Sequence, residues 1–142
     1  MSGAVKTIAW WNDEPQLSPV DGGKWKLTRD WEFFTYDAGR VSVQRHAVPQ
    51  GYETDLASIP RFFRRFCGCP CDETHRNASL VHDWLYTVGG GAEERRGADW
   101  IYYKTIRRAG RTRFKAAAEY VALRLCGWRH FNYKKQRTQT EE

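Results

Sequence analysis

The residues with the clearest chemical potential lie in 77–86, NASLVHDWLY, where His82 and Asp83 stand side by side and Tyr86 follows His82 by four positions. A structural helix would place Leu or Ala at such positions. Burying titratable groups costs several kcal/mol unless they are paired, so their presence implies a partner or a task. At helical spacing, Val81, Leu85 and Val88 form one stripe, and His75, Ser79, His82 and Tyr86 form a second, polar one. Adjacent helical residues point about 100° apart, so His82 and Asp83 need separate partners. A histidine acting as a general base requires an acid on its other ring nitrogen to fix tautomer and charge. Asp99, between Ala98 and Trp100, is the candidate, because the glycines at 89–91 can fold the next helix back against His82. Asp83 is then left for a cation or a guanidinium, and Tyr86 can bind Asp99 or line the cleft.

Further residues extend this set. Asp55 and His75 could join Asp83 around one divalent cation, calcium or zinc, since the group supplies N and O ligands. Arg61 could instead pair with Asp55 or Asp83 and exclude a metal. The alternative for His82, Asp83 and Asp99 is a buried polar network locking two helices, with Arg61 or Arg76 as counter-charge. Cys67, Cys69 and Cys71, with His75 beyond them, are spaced more tightly than the usual zinc pattern, so zinc, redox use and plain thiols all stay open.

The elements that must position these residues follow from pattern. Segments 24–28, 30–37 and 40–48 are rich in aromatic and β-branched residues and separated by turn chemistry, which predicts antiparallel strands. Ser58 and Pro60 mark a short helix start. Longer helices are expected at about 74–88, 92–109 and 112–126, the last capped by Thr112, with glycines closing each. The expected fold is α+β: a small antiparallel sheet followed by three to four helices in a single domain at 23–127. Residues 1–22 read as an irregular lead-in and 128–142 as a basic, polar tail.

Composition bounds the remaining choices. A chain of 142 residues can bury a core as one domain, and 41% apolar content excludes disorder for most of it. No secretory signal or membrane-spanning run is legible, so a reducing cytosol with free thiols is the default setting. Net charge is +6, yet residues 95–137 hold thirteen Lys/Arg against two acids, Asp99 and Glu119. That basic face, including Arg107 and Arg108, could meet a protein partner, an anionic lipid surface or nucleic acid. Nucleic acid is the least favoured, because the aromatics fall at core spacings and no known motif accompanies them.

Two resemblances add to this reading. His82, Asp83, Tyr86 and the pair Ala98-Asp99 resemble the active-site helices of phospholipases A2. That resemblance implies a histidine activating water, an aspartate on calcium and a second aspartate orienting the histidine. Where those enzymes carry a glycine-rich calcium loop, this chain has the cysteine run at 67–71. More broadly, the order TDLASIPR, HDWLY and GADWIYYKTIRRAG is similar to an uncharacterised family of short bacteriophage and prophage proteins. It implies a phage setting, with the host bacterial cytoplasm or the virion as the location. Three functions are therefore expected as alternatives. One is a small hydrolase acting on lipid or cell envelope during host penetration or lysis. Another is a non-enzymatic virion, tail or assembly component that binds other phage proteins. The last is a host-directed binding protein using the basic face.

Overall fold

The computed structural model describes residues 8–22, 24–37, 41–54 and 73–133. Asp55, Ser58, Arg61 and Cys67, Cys69 and Cys71 lie outside the described residues, so the roles expected for them are not addressed by it.

Strand β4 (Trp31–Asp37) forms the centre of one sheet, pairing antiparallel with β1 (Ile8–Trp10) and β5 (Ser42–Val48). Its alternation is the reason: Trp31, Phe33 and Thr35 are buried while Glu32, Phe34 and Tyr36 are less so, a period of two. A second sheet places β3 (Lys24–Leu27) between β2 (Leu17–Val20) and β6 (Glu53–Thr54). The strands of the first half are thus antiparallel, as expected, but divided between two three-stranded sheets.

The lead-in at 1–22 is not irregular where it is described, since β1 and β2 lie within it. Pro19 sits on the edge strand β2 opposite Trp25, where a missing N–H need not interrupt a ladder. Trp10 and Trp11 anchor this segment by packing on Phe34 and Trp31.

Three helices follow: α1 (Glu73–Val88), α2 (Ala92–Arg108) and α3 (Arg113–Cys126), the last running into a 3-10 turn, Gly127–Arg129. Their boundaries obey the expected chemistry. Gly89 ends α1 with φ of 73°, and a Cβ there would overlap the Asn132 carbonyl. Glu94 accepts from the Gly91 N–H at 2.9 Å, opening α2 with acid at its positive end. Thr112 accepts from Lys115 N at 3.3 Å and caps α3.

The core lies between sheets and helices. Leu27, Trp31, Phe33 and Val48 meet Leu80 and Val81 of α1 and Ile101 of α2, each such burial contributing about 1.5–3 kcal/mol. A second cluster, Ala78, Tyr102, Ile106, Ala116 and Leu123, joins the three helices. Beyond the 3-10 turn the chain returns to α1: Asn132 N bonds Tyr86 O, Gly90 N bonds Asn132 O, and Phe131 packs edge-on against Tyr86. The compact domain therefore continues to Tyr133, past the expected boundary at 127.

Candidate functional site

The polar stripe of α1 turns inward. His75, Ser79, His82 and Tyr86 are all buried, whereas Val88 of the apolar stripe is exposed. What lets a polar line face the interior is a pair of buried carboxylates on the facing helices.

Asp99 of α2 is the first. It is 0% exposed, and its Oδ1 lies 2.7 Å from His82 Nε2 and accepts from the Tyr86 hydroxyl at 2.5 Å. Its Oδ2 accepts from Arg124 Nη1 of α3 at 2.9 Å. Burial alone would raise the Asp99 carboxyl pKa, but His82, Tyr86 and Arg124 outweigh it and hold it below 3.8. Asp99 is therefore an acceptor, so Nε2 of His82 must be the donor, and neutral His82 keeps its lone pair on Nδ1.

That second nitrogen faces Asp83, whose Oδ1 is 4.0 Å away. Burial opposes charge on the His82 ring, yet the two carboxylates more than offset it and raise its pKa above 6.5. Tyr86 is pushed well above the phenol range, by burial first and by Asp99 second. The Asp83 Oδ2 accepts from Thr54 Oγ1 of β6, so the second sheet positions this carboxylate.

His82, Asp83 and Tyr86 line a cleft of about 270 Å³ together with Lys24, Thr54, Gly127 and His130. The wall thus combines β3, β6, α1 and the 3-10 turn. Of the residues singled out from sequence, His82, Asp83, Tyr86 and Asp99 converge here. His75 does not. It lies about 10 Å along α1 from His82, since seven residues advance the helix by that length, and it pairs instead with Glu119 at 3.2 Å. Arg107 and Arg108 also stay away, on the far half of α2.

No group of three or more His, Cys, Asp or Glu is placed to hold a metal ion among the described residues. The donor set explains this. Asp83 is committed to Thr54 on one oxygen, and the expected co-ligand His75 is turned to Glu119. A calcium shell of the kind the phospholipase resemblance implies needs oxygen ligands beyond Asp83, and Asp55 and the run at 67–71 lie outside the described residues.

Sequence reasoning missed Arg124, the cation on Asp99, and pointed to Arg61 or Arg76 instead. Arg76 lies over the Trp25 ring, 4.7 Å from its centroid. It also missed the second buried carboxylate. Glu119 is 1% exposed and gathers His75, Tyr102 (3.0 Å) and Arg111 (2.9 Å). One signal was available: Asp99 and Glu119 are the two acids of the basic stretch, and both prove to be buried.

Residues 25–123, more than half of the chain, match a family of proteins of unknown function, DUF1353. The chain belongs to that family. The DUF1353 match spans β3 through most of α3 and so takes in His82, Asp83, Asp99 and Glu119. No curated protein and no solved structure matches the chain.

Proposed function

We propose that this DUF1353 protein is a small hydrolase of phage origin, acting on ester bonds of lipid or cell envelope during host penetration or lysis. The observation that carries the reading is the orientation of one ring. His82 gives Nε2 to a buried, ionised Asp99 and turns Nδ1 toward Asp83, a second carboxylate with which it lines the cleft. That is the arrangement of an oriented general base.

A single water fits the chemistry. The reading needs that water on the cleft side of the His82–Asp83 pair, whose Nδ1 and Oδ1 lie 4.0 Å apart, with one proton directed at Nδ1. In the reaction the water oxygen bonds to the ester carbonyl carbon as Nδ1 takes its proton. Asp99 stabilises the imidazolium that forms, and His82 then returns the proton to the leaving alkoxide. Lys24 at the mouth supplies positive charge for the intermediate's oxyanion.

Lipid as the substrate class is supported by α3. Phe114 is 84% exposed, and Val121, Leu125 and Trp128 continue the same apolar stripe, flanked by Lys115 and Arg129. Trp128, the last residue of the stripe, stands in the chain between Gly127 and His130, which line the cleft. An apolar face with a basic rim and a tryptophan suits an anionic membrane surface. The phage setting rests on the sequence resemblance alone.

A second reading has its own observation. His82 is 1% exposed and is held with Tyr86 to the buried Asp99, as in a structural lock between α1 and α2 for a virion component. One experiment separates the two. Ester release from short-chain esters and from anionic phospholipid vesicles is measured for the wild type and for His82→Gln, alongside urea unfolding. Turnover abolished in a protein that stays folded supports the hydrolase. No turnover by the folded wild type on either substrate, with His82→Gln strongly destabilised, supports the lock.

A further inference from the structure

A second cavity, of about 590 Å³, opens between β1, the C-terminal half of α2 and the start of α3. It shares no lining residue with the His82 cleft. Four cations line it: Lys104, Arg107, Arg108 and Arg113. No carboxylate does so among the described residues, and none of the four forms an ion pair with a described residue. Like charges gathered without acids destabilise the empty protein, and a bound anion relieves that repulsion. Two of the guanidiniums are held in place by carbonyls rather than by acids. Arg107 Nη1 donates to Arg111 O at 2.8 Å, and Arg108 Nη2 to Ala9 O at 2.5 Å. Their charge is fixed in position, with no acid paired to it among the described residues, and that fixed position lowers the ordering cost of binding.

The wall between these cations is aromatic. Trp100 stacks on Tyr103 with centroids 5.1 Å apart and planes 20° from parallel, and Lys104 Nζ lies 5.4 Å from the Trp100 ring centroid. A solvated basic face would need neither a concavity nor an aromatic wall. The volume is that of a small-molecule site.

We propose that this cavity binds a nucleoside phosphate, with its planar base against the Trp100–Tyr103 wall and its phosphates on Lys104, Arg107, Arg108 and Arg113. The same chemistry is presented by a free nucleotide and by single-stranded nucleic acid, where aromatic stacking and phosphate pairing combine.

Titration calorimetry of the full chain tests this with three probes: ATP, a ten-residue oligothymidylate and inorganic tripolyphosphate. Saturable binding of ATP or of the oligonucleotide is expected. Lys104→Glu and Arg113→Glu, which break no hydrogen bond seen within the described residues, should each weaken it about tenfold. For the oligonucleotide the slope of log K against log salt should also shrink by about 0.7 for each phosphate that is no longer paired with a cation. Trp100→Leu should weaken ATP and oligonucleotide but leave tripolyphosphate unchanged. Binding of ATP alone assigns a nucleotide site; binding of the oligonucleotide alone assigns a strand site. Absence of binding by both at low salt overturns the proposal. So does binding that the folded charge-reversal variants retain at full strength, or tripolyphosphate bound as tightly as ATP.

Discussion

Asp99 and Glu119 stand in the same relation to α1: each is a fully buried carboxylate that gathers one histidine of that helix, one tyrosine and one arginine. His82, Tyr86 and Arg124 converge on Asp99; His75, Tyr102 and Arg111 converge on Glu119. The two sets touch, since the His82 and Tyr102 rings meet edge-on at 5.6 Å. They differ in outlook. His82 reaches a cleft, whereas no residue of the Glu119 set lines it.

Glu119→Gln should therefore act on stability alone. Glutamine keeps the shape but leaves Arg111, mostly buried, without its counter-charge. Removing one partner of a buried pair costs about 3 kcal/mol. Urea unfolding should show that loss, while ester turnover per folded molecule stays at the wild-type level. A parallel fall in turnover per folded molecule would place Glu119 in the reaction.

Asp99→Asn should act on chemistry. The amide can present its NH2 or its carbonyl to His82, so the tautomer is no longer enforced and imidazolium loses its charge partner. Turnover should fall about 10³–10⁴-fold, the scale seen when a triad acid becomes an amide. The His82 titration followed by NMR should shift downward, because the carboxylate that raises it is gone. An unchanged titration would remove Asp99 from its assigned part.

The same pair sets opposite pH dependences for stability and activity. His82 has a folded pKa above 6.5, so its contribution to stability is complete below 6.5 and is lost as pH rises through the folded value. Asp99 has a folded pKa below 3.8, so its contribution is present above 3.8 and is lost as pH falls through the folded value. The pair stabilises most between 3.8 and 6.5. A general base must be neutral, so turnover should rise with pH above 6.5, where stability begins to fall. Unfolding free energies and rates collected from about pH 4 to 9 would check this. In His82→Gln the stability decline above 6.5 should vanish.

How far the sequence announced this arrangement depends on the kind of signal. Helix ends were legible because Gly89, Gly110, Thr112 and Gly127 act locally, through backbone conformation and capping. The His82–Asp99 pairing was legible because a three-glycine turn between two helices leaves few registers. Arg124 was not, since it reaches Asp99 from a third helix whose rotation no local pattern fixes. Thr54 was hidden for a related reason: only the pairing of β6 with β3 carries it to Asp83. His75 seemed to belong with Asp83 because both are potential ligands on one helix, but two helical turns and a closer Glu119 separate them. The edge position of β2, which tolerates Pro19, is likewise a property of the assembled sheet.

Gly127 offers the sharpest test of the site's packing. Its φ of −67° suits any residue, so Gly127→Ala should on backbone grounds stabilise by about 0.4–1 kcal/mol. A Cβ there, however, would overlap the Tyr86 hydroxyl, which cannot retreat without leaving Asp99. The overpacking should reverse the sign and cost about 1–3 kcal/mol. Tyr86→Phe removes a hydrogen bond to a charged acceptor and should cost about 1.5–3 kcal/mol by itself. With the hydroxyl already gone, alanine at 127 meets only ring carbons beyond 3 Å, and its entropic gain can appear. The double variant should thus be more stable than the sum of the single losses by at least about 1 kcal/mol. Urea denaturation of the four proteins measures that coupling. Simple additivity would mean that the Tyr86 hydroxyl is not held between Gly127 and Asp99.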